Sequence, residues 1–172
     1  MRRYNLAPAI AFGLLGTGGS AWLAGARIDA GAAYPLKAVA VFAVMIVAVT
    51  AVAGEQHPYP RFGLANLVTM IRAMLLALVA ALIGLPATPE MLWCVIGLTA
   101  LMGALDGLDG WLARRTRMAS EFGARFDMET DAALILVLSI LVWQHEKASA
   151  WVLLCGLMRY GFVAAGWLLP WL

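Results

Sequence analysis

Four of the chain's five aspartates fall between positions 106 and 131. The segment reads Asp106-Gly-Leu-Asp109-Gly110-Trp-Leu-Ala113-Arg114, then eight residues, then Gly123-Ala-Arg-Phe-Asp127-Met-Glu-Thr-Asp131. On helices, spacings of three and four put Asp106 with Asp109, and Asp127 with Asp131, on single faces. Ionised and unpaired at a membrane border, such carboxylates are costly. Three arrangements relieve that cost. The aspartates can be solvated in a loop, pair with Arg114, Arg115 or Arg125 in a salt-bridge network, or bind hard divalent cations through carboxylate oxygens. The spacing favours the cations. Two ions about 4 Å apart suit an in-line displacement at phosphorus, chemistry that is mostly positioning and charge neutralisation. An aspartate not fully engaged with metal can accept a hydroxyl proton.

The residues between the aspartates fit a phosphate. Gly110 follows Asp109, and Gly123 precedes Asp127 by about one helical turn, so backbones and a phosphate can approach closely. Ala113, one turn after Asp109, keeps the same face clear. Arg114 offers a planar fork of donors suited to phosphate.

These residues need helices that cross a bilayer. The 172 residues are 63% hydrophobic and 13% charged, with a mean hydropathy of +0.86. A soluble domain is nearer half apolar and a quarter charged. Six apolar segments approach the ~20 residues a crossing needs: 7–26, 36–54, 63–86, 90–112, 124–143 and 148–170. The expected fold is therefore an all-α, polytopic transmembrane bundle. Breaks are expected at Arg27-Ile28-Asp29, at Gly54 to Pro58, at Pro86 to Glu90, at 114–125 and at His145-Glu146-Lys147, where prolines and charges end helices. Thr17-Gly18-Gly19-Ser20 lies inside the first segment. Arg2, Arg3 and Ala24-Gly25-Ala26 imitate a cleavable signal, and a retained helix is the preferred reading.

Arg2, Arg3, Arg61, Arg114, Arg115, Arg117 and Arg125 fall on one set of alternating ends, and Arg27, Lys37 and Lys147 on the other. The heavier set belongs inside, which puts the N-terminus and the aspartates at the cytoplasmic face of the cell (inner) membrane. Cys94 and Cys155 read as small buried hydrophobes. A net charge of +2 gives no case for nucleic acid.

The acidic segment resembles the signature of the CDP-alcohol phosphatidyltransferase family: Asp-x2-Asp-Gly-x2-Ala-Arg, eight residues, Gly-x3-Asp-x3-Asp. Asp106, Asp109, Gly110, Ala113, Arg114, Gly123, Asp127 and Asp131 match every fixed position. At ~6% per position, a chance match is on the order of 10⁻¹⁰ per start point. Asn66-x2-Thr69-x2-Arg72 resembles the family's Asn-x2-Thr-x2-Arg opening helix. Taken alone, Asn66 and Thr69 could be helix-end residues and Arg72 could snorkel. Beside the acidic motif, a role in a nucleotide site is favoured.

The resemblance implies transfer of a substituted phosphate from a CDP-alcohol, chiefly CDP-diacylglycerol, to a small or lipid alcohol in phospholipid biosynthesis, with release of CMP. It implies two Mg²⁺ or Mn²⁺ ions on Asp106, Asp109 and Asp127. Asp131 would contact the second ion and act as the catalytic base. Gly110, Arg114 and Ser120 would contact the CDP moiety, with Asn66 and Thr69 nearby. Ser120 could instead cap the helix that starts near Glu121. Arg159, mid-span in the sixth segment, needs a buried partner or a polar cavity, and an acceptor-site role is one reading of it.

The resemblance covers 58–172 as a core, and 1–57 form an extension of two spans. The family core has six helices from the Asn-x2-Thr helix onward. This chain has four, so missing C-terminal helices are expected, and with them part of the acceptor pocket and the contact of a homodimer. A cation transporter or channel and an inactive membrane scaffold are the competing readings. The basic run Arg114-Arg115-Thr116-Arg117 would repel cations and suits phosphate.

Overall fold

The computed structural model describes residues 6–53, 62–116 and 120–168. Arg2, Arg3, Arg61, Arg117, the expected break at 54–58 and the final residues 169–172 lie outside them. The described residues form six helices: α1 (Ala7–Arg27), α2 (Ala33–Ala53), α3 (Leu64–Ala80), α4 (Pro89–Thr116), α5 (Glu121–Gln144) and α6 (Val152–Leu168). Among the described residues there is no strand. The all-α bundle expected from the apolar runs is the fold observed. Three helices, α1, α2 and α4, are long and apolar enough to cross a membrane, and α3 and α6 contribute shorter apolar helices.

The exterior is apolar. Leu15, Trp22, Leu36, Trp93, Leu154 and Phe162 are all strongly exposed. The buried residues, by contrast, include Asn66, Thr69, Arg72, Asp109, Thr130 and Ser139. Large apolar patches outside and charge inside are the reverse of a soluble domain. In lipid this costs nothing on the outer face, while the polar groups inside must find partners. Cys94 and Cys155 follow the same logic. Both are free thiols on the exposed face, not buried as their apolar neighbours suggested, because apolar runs here cover the outside too.

α3 is the central element and packs against α1, α2, α4 and α5. α1 runs unbroken through Thr17-Gly18-Gly19-Ser20. Its buried positions Gly13, Thr17, Ala21 and Gly25 recur every four residues, a seam of small residues that lets helix backbones approach. Phe42 of α2 and Met70 of α3 fill the space beside Gly13.

α3 ends at Ala80, earlier than the apolar run to 86 suggested. The chain tightens there through Leu82 N–H to Val79 O and Ile83 N–H to Ala80 O, and Gly84 turns it at φ +89°, a conformation glycine adopts without a Cβ penalty. Polar side chains take the carbonyls released. Tyr34 Oη donates to Leu78 O at 2.9 Å, Lys37 Nζ to Ile83 O at 3.2 Å and Gln144 Nε2 to Leu85 O at 3.0 Å. At the other end of α3, Phe62 meets Phe122 edge-on and Phe122 meets Phe126 at a tilt, with centroids 6.3 and 6.0 Å apart. They hold the start of α5 against the start of α3.

α5 and α6 meet at Gly156, where an added Cβ would lie 2.6 Å from the Leu136 Cα. Gly97 on α4 has nothing within 4 Å of such an atom. Gly156→Ala should therefore lower stability by about 1–3 kcal/mol, the usual cost of overpacking, while Gly97→Ala leaves it unchanged or slightly higher. Thermal unfolding of both variants in detergent checks this, and equal behaviour would contradict the close approach of α5 and α6.

Candidate active site

Three helices build the site. Asn66, Thr69 and Arg72 recur every three residues along the buried face of α3. Asp106 and Asp109 lie in the C-terminal half of α4, and Asp127 and Asp131 near the start of α5. α4 and α5 approach from opposite chain directions, and α3 packs against both.

Arg72 joins all four aspartates. Its Nη1 donates to Asp109 Oδ2 at 2.8 Å and to Asp127 Oδ1 at 2.5 Å. Its Nη2 donates to Asp131 Oδ1 and lies 3.0 Å from Asp106 Oδ1. Each terminal nitrogen thus holds one aspartate from α4 and one from α5. The pairs face each other level by level, Asp109 with Asp127 and Asp106 with Asp131. The guanidinium is only 2% exposed, so it does not snorkel. The carboxylates are compensated by this arginine from α3, a pairing the sequence reading did not weigh among Arg114, Arg115 and Arg125.

The compensation is incomplete. One positive charge faces four negative ones. Asp109 is buried, whereas Asp106, Asp127 and Asp131 are 47%, 38% and 45% exposed. Carboxylate oxygens of Asp106, Asp109 and Asp127 lie within 4.8 Å of one another. At that separation two carboxylates repel by about 3 kcal/mol at an effective dielectric near 20. A compact, partly open set of hard oxygens with excess negative charge fits a divalent cation, so these three residues are able to hold a metal. Asp131 stands outside the triplet and shares Arg72 Nη2 with Asp106.

Beside the triplet opens a cleft of about 120 Å³, lined among others by Asn66, Thr69, Gly110, Ala113, Ser120 and Gly123. Thr69 Oγ1 has one proton and two acceptors in reach, Asp109 Oδ2 at 3.1 Å and Ala65 O at 3.2 Å. Asn66 Nδ2 donates to Phe62 O at 2.6 Å. The Asn66 side-chain oxygen lies so close to Gly123 that an added Cβ would meet it at 2.6 Å, which accounts for glycine there. Arg114 is exposed, and its guanidinium folds back over Gly110, 3.4 Å from where a Cβ would be. Ser120 caps α5: its Oγ accepts from Gly123 N–H at 3.0 Å. Capping uses a lone pair and leaves the hydroxyl proton for another acceptor. The N-terminus of α5 therefore opens onto the cleft, an environment that favours anions. Arg115 lies 4.9 Å over the Trp111 ring, a cation–π contact away from the carboxylates.

Arg159 has a partner that sequence reading did not name. Its Nη2 donates to Glu129 Oε1 at 2.5 Å, tying α6 to α5. Glu129 is two residues from both Asp127 and Asp131, and two residues turn a helix by about 200°. It therefore points away from the aspartate cluster. The clue in the sequence was a second unmatched mid-span charge opposite Arg159.

A family model described as CDP-alcohol phosphatidyltransferase matches residues 62–169. The CDP-diacylglycerol–glycerol-3-phosphate 3-phosphatidyltransferases of Escherichia coli K12 and Shigella flexneri serotype 5b are each 31% identical to this chain over 99 residues. Each match covers 55% of this chain and 50% of the relative. The chain thus spans about half the length of the curated relatives it matches. No solved structure matches it.

The Arg159–Glu129 pair predicts a pattern of stability. Arg159→Met or Glu129→Gln alone leaves a partly buried group unpaired and should lower the melting temperature in detergent. The double variant should recover part of that loss, because breaking one side of a low-dielectric pair costs more than replacing both. Additive losses would mean that the two side chains do not interact.

Proposed function

The chain belongs to the CDP-alcohol phosphatidyltransferase family, and we propose that it transfers a substituted phosphate from CDP-diacylglycerol to an acceptor alcohol, releasing CMP. The activity named for its relatives supports glycerol 3-phosphate as the acceptor. The observation that carries this reading is the open triplet Asp106, Asp109 and Asp127 at the edge of a cleft floored by the start of α5.

The donor's pyrophosphate lies in that cleft. Arg114, folded over the small face of Gly110, swings onto its oxygens with a fork of donors. Ser120 donates its remaining hydroxyl proton, and the N-terminal amides of α5 add their dipoles. Asn66 and Thr69 shape the wall nearest the nucleotide, and Thr69 also steadies Asp109. Asp106, Asp109 and Asp127 would hold Mg²⁺ or Mn²⁺, two ions in this reading, and the bound metal would supply charge neutralisation at the pyrophosphate. The acceptor hydroxyl attacks the phosphorus that bears diacylglycerol. Its oxygen forms the new P–O bond, the bond to the CMP oxygen breaks, and the hydroxyl proton passes to Asp131. A guanidinium anchored among the carboxylates argues against a cation pathway through them.

The arginine bias of alternate helix ends supports a site on the cytoplasmic side of the inner membrane, within reach of a soluble acceptor and a lipid donor.

CMP release from CDP-diacylglycerol and glycerol 3-phosphate tests the reading. EDTA should abolish it and added Mg²⁺ restore it. Asp106→Asn and Asp127→Asn should lose donor binding and turnover together. Asp131→Asn should keep donor binding while losing turnover by on the order of 10²–10⁴, the usual worth of a general base. Full activity in excess chelator removes the metal from the mechanism. Turnover of Asp131→Asn within a few-fold of the unsubstituted protein removes Asp131 as the base.

A further inference from the structure

Arg72 has no assigned part in the transfer, yet it lies against carboxylates from two other helices. Its two terminal nitrogens carry four N–H groups, and four carboxylates lie against them. It takes one oxygen from each: Oδ1 of Asp106, Oδ2 of Asp109, Oδ1 of Asp127 and Oδ1 of Asp131. The second oxygen of each carboxylate is not used by Arg72. The guanidinium is buried at 2% exposure, while three of the four aspartates keep substantial exposure. Its Nε has no hydrogen-bond partner among the described residues, so the carboxylates alone offset its loss of water.

We propose that Arg72 is a positioning residue: a built-in counter-cation that assembles the four carboxylates before any metal arrives and leaves one oxygen of each unused, those of Asp106, Asp109 and Asp127 for the metal. This rests on the metal-dependent reading above. An arginine suits the task because its planar fork spans two carboxylates per nitrogen, its charge is permanent and it sheds water more readily than an ammonium. Without it, four like charges would have to be brought together by the fold alone. With it, α4 and α5 are registered level by level against α3, and the remaining negative charge still attracts divalent ions. Preorganising ligands by contacts behind them is how outer groups tune metal sites.

The test is thermal unfolding of the full chain in detergent, first in EDTA and then in Mg²⁺. Arg72→Gln should lower the melting temperature in EDTA by about 10 °C, as expected when one side of a buried charge cluster is removed. Two different remedies should restore most of it. One is Mg²⁺, which supplies the missing positive charge, so the Mg²⁺-dependent rise should be at least twofold larger than in the unsubstituted protein. The other is removal of negative charge, in Arg72→Gln combined with Asp106→Asn and Asp131→Asn. Arg72→Lys, with charge but no fork, should fall between. Recovery by charge removal without any response to Mg²⁺ supports the counter-cation and overturns the metal reading. Failure of both remedies, with a loss of the same size in EDTA and in Mg²⁺, makes Arg72 a mere packing residue and overturns the proposal. If Arg72→Gln yields no folded protein, the triple variant decides: its folding supports the counter-cation, and its failure refutes it.

Discussion

The contact between Arg72 and four aspartates governs the rest of this molecule. A guanidinium 2% exposed and carboxylates from two other helices cannot be separated without stranding charge. Breaking one side of such a cluster costs about 3–5 kcal/mol, a large share of the stability of a folded protein. The cluster therefore fixes the rotation of α3, α4 and α5 about their own axes, since each must present one face inward. The same contact leaves negative charge unbalanced on the side of the cleft. One interaction thus sets both helix register and the electrostatic character of the site.

The remaining packing serves that arrangement. Aromatic contacts at Phe62, Phe122 and Phe126 hold the opening turns of α3 and α5 together close to the site. At the far end, Tyr34, Lys37 and Gln144 satisfy carbonyls where α3 and its turn finish. Polar side chains there do what water does at the ends of helices in soluble proteins. α1 and α2, which precede the matched region, pack on α3 and share its buried apolar clusters. The site end of α3 opens into a cleft, and the opposite end closes with hydrogen bonds.

Much of this was legible in the sequence because the chemistry is local. Spacings of three and four fix which face each aspartate pair shares, and the order of the two helices fixes which aspartates are level. Apolar length gave six helices. What the sequence hid depends on distant partners. Arg72 is 34 to 59 positions from the aspartates it binds, and as a lone arginine in an apolar run it read as a snorkelling or nucleotide-facing residue. The excess of carboxylates over nearby usable cations was the available sign. Glu129 was hidden by its position inside the motif, where only the half-turn offset from Asp127 separates its role. Ser120 was ambiguous because capping and phosphate donation use different parts of one hydroxyl. The early end of α3 was missed because hydropathy continues through a turn that Gly84 makes without interrupting the apolar run.

In the proposed mechanism the open side of the aspartate cluster is a metal site backed by Arg72. Anomalous diffraction from crystals of the full chain grown with Mn²⁺ tests it most directly. Mn²⁺ peaks are expected against oxygens of Asp106, Asp109 and Asp127, with the Arg72 guanidinium still in contact with the carboxylates. Manganese absent from these residues at saturating concentration, or bound only where Arg72 has left the cluster, would contradict it.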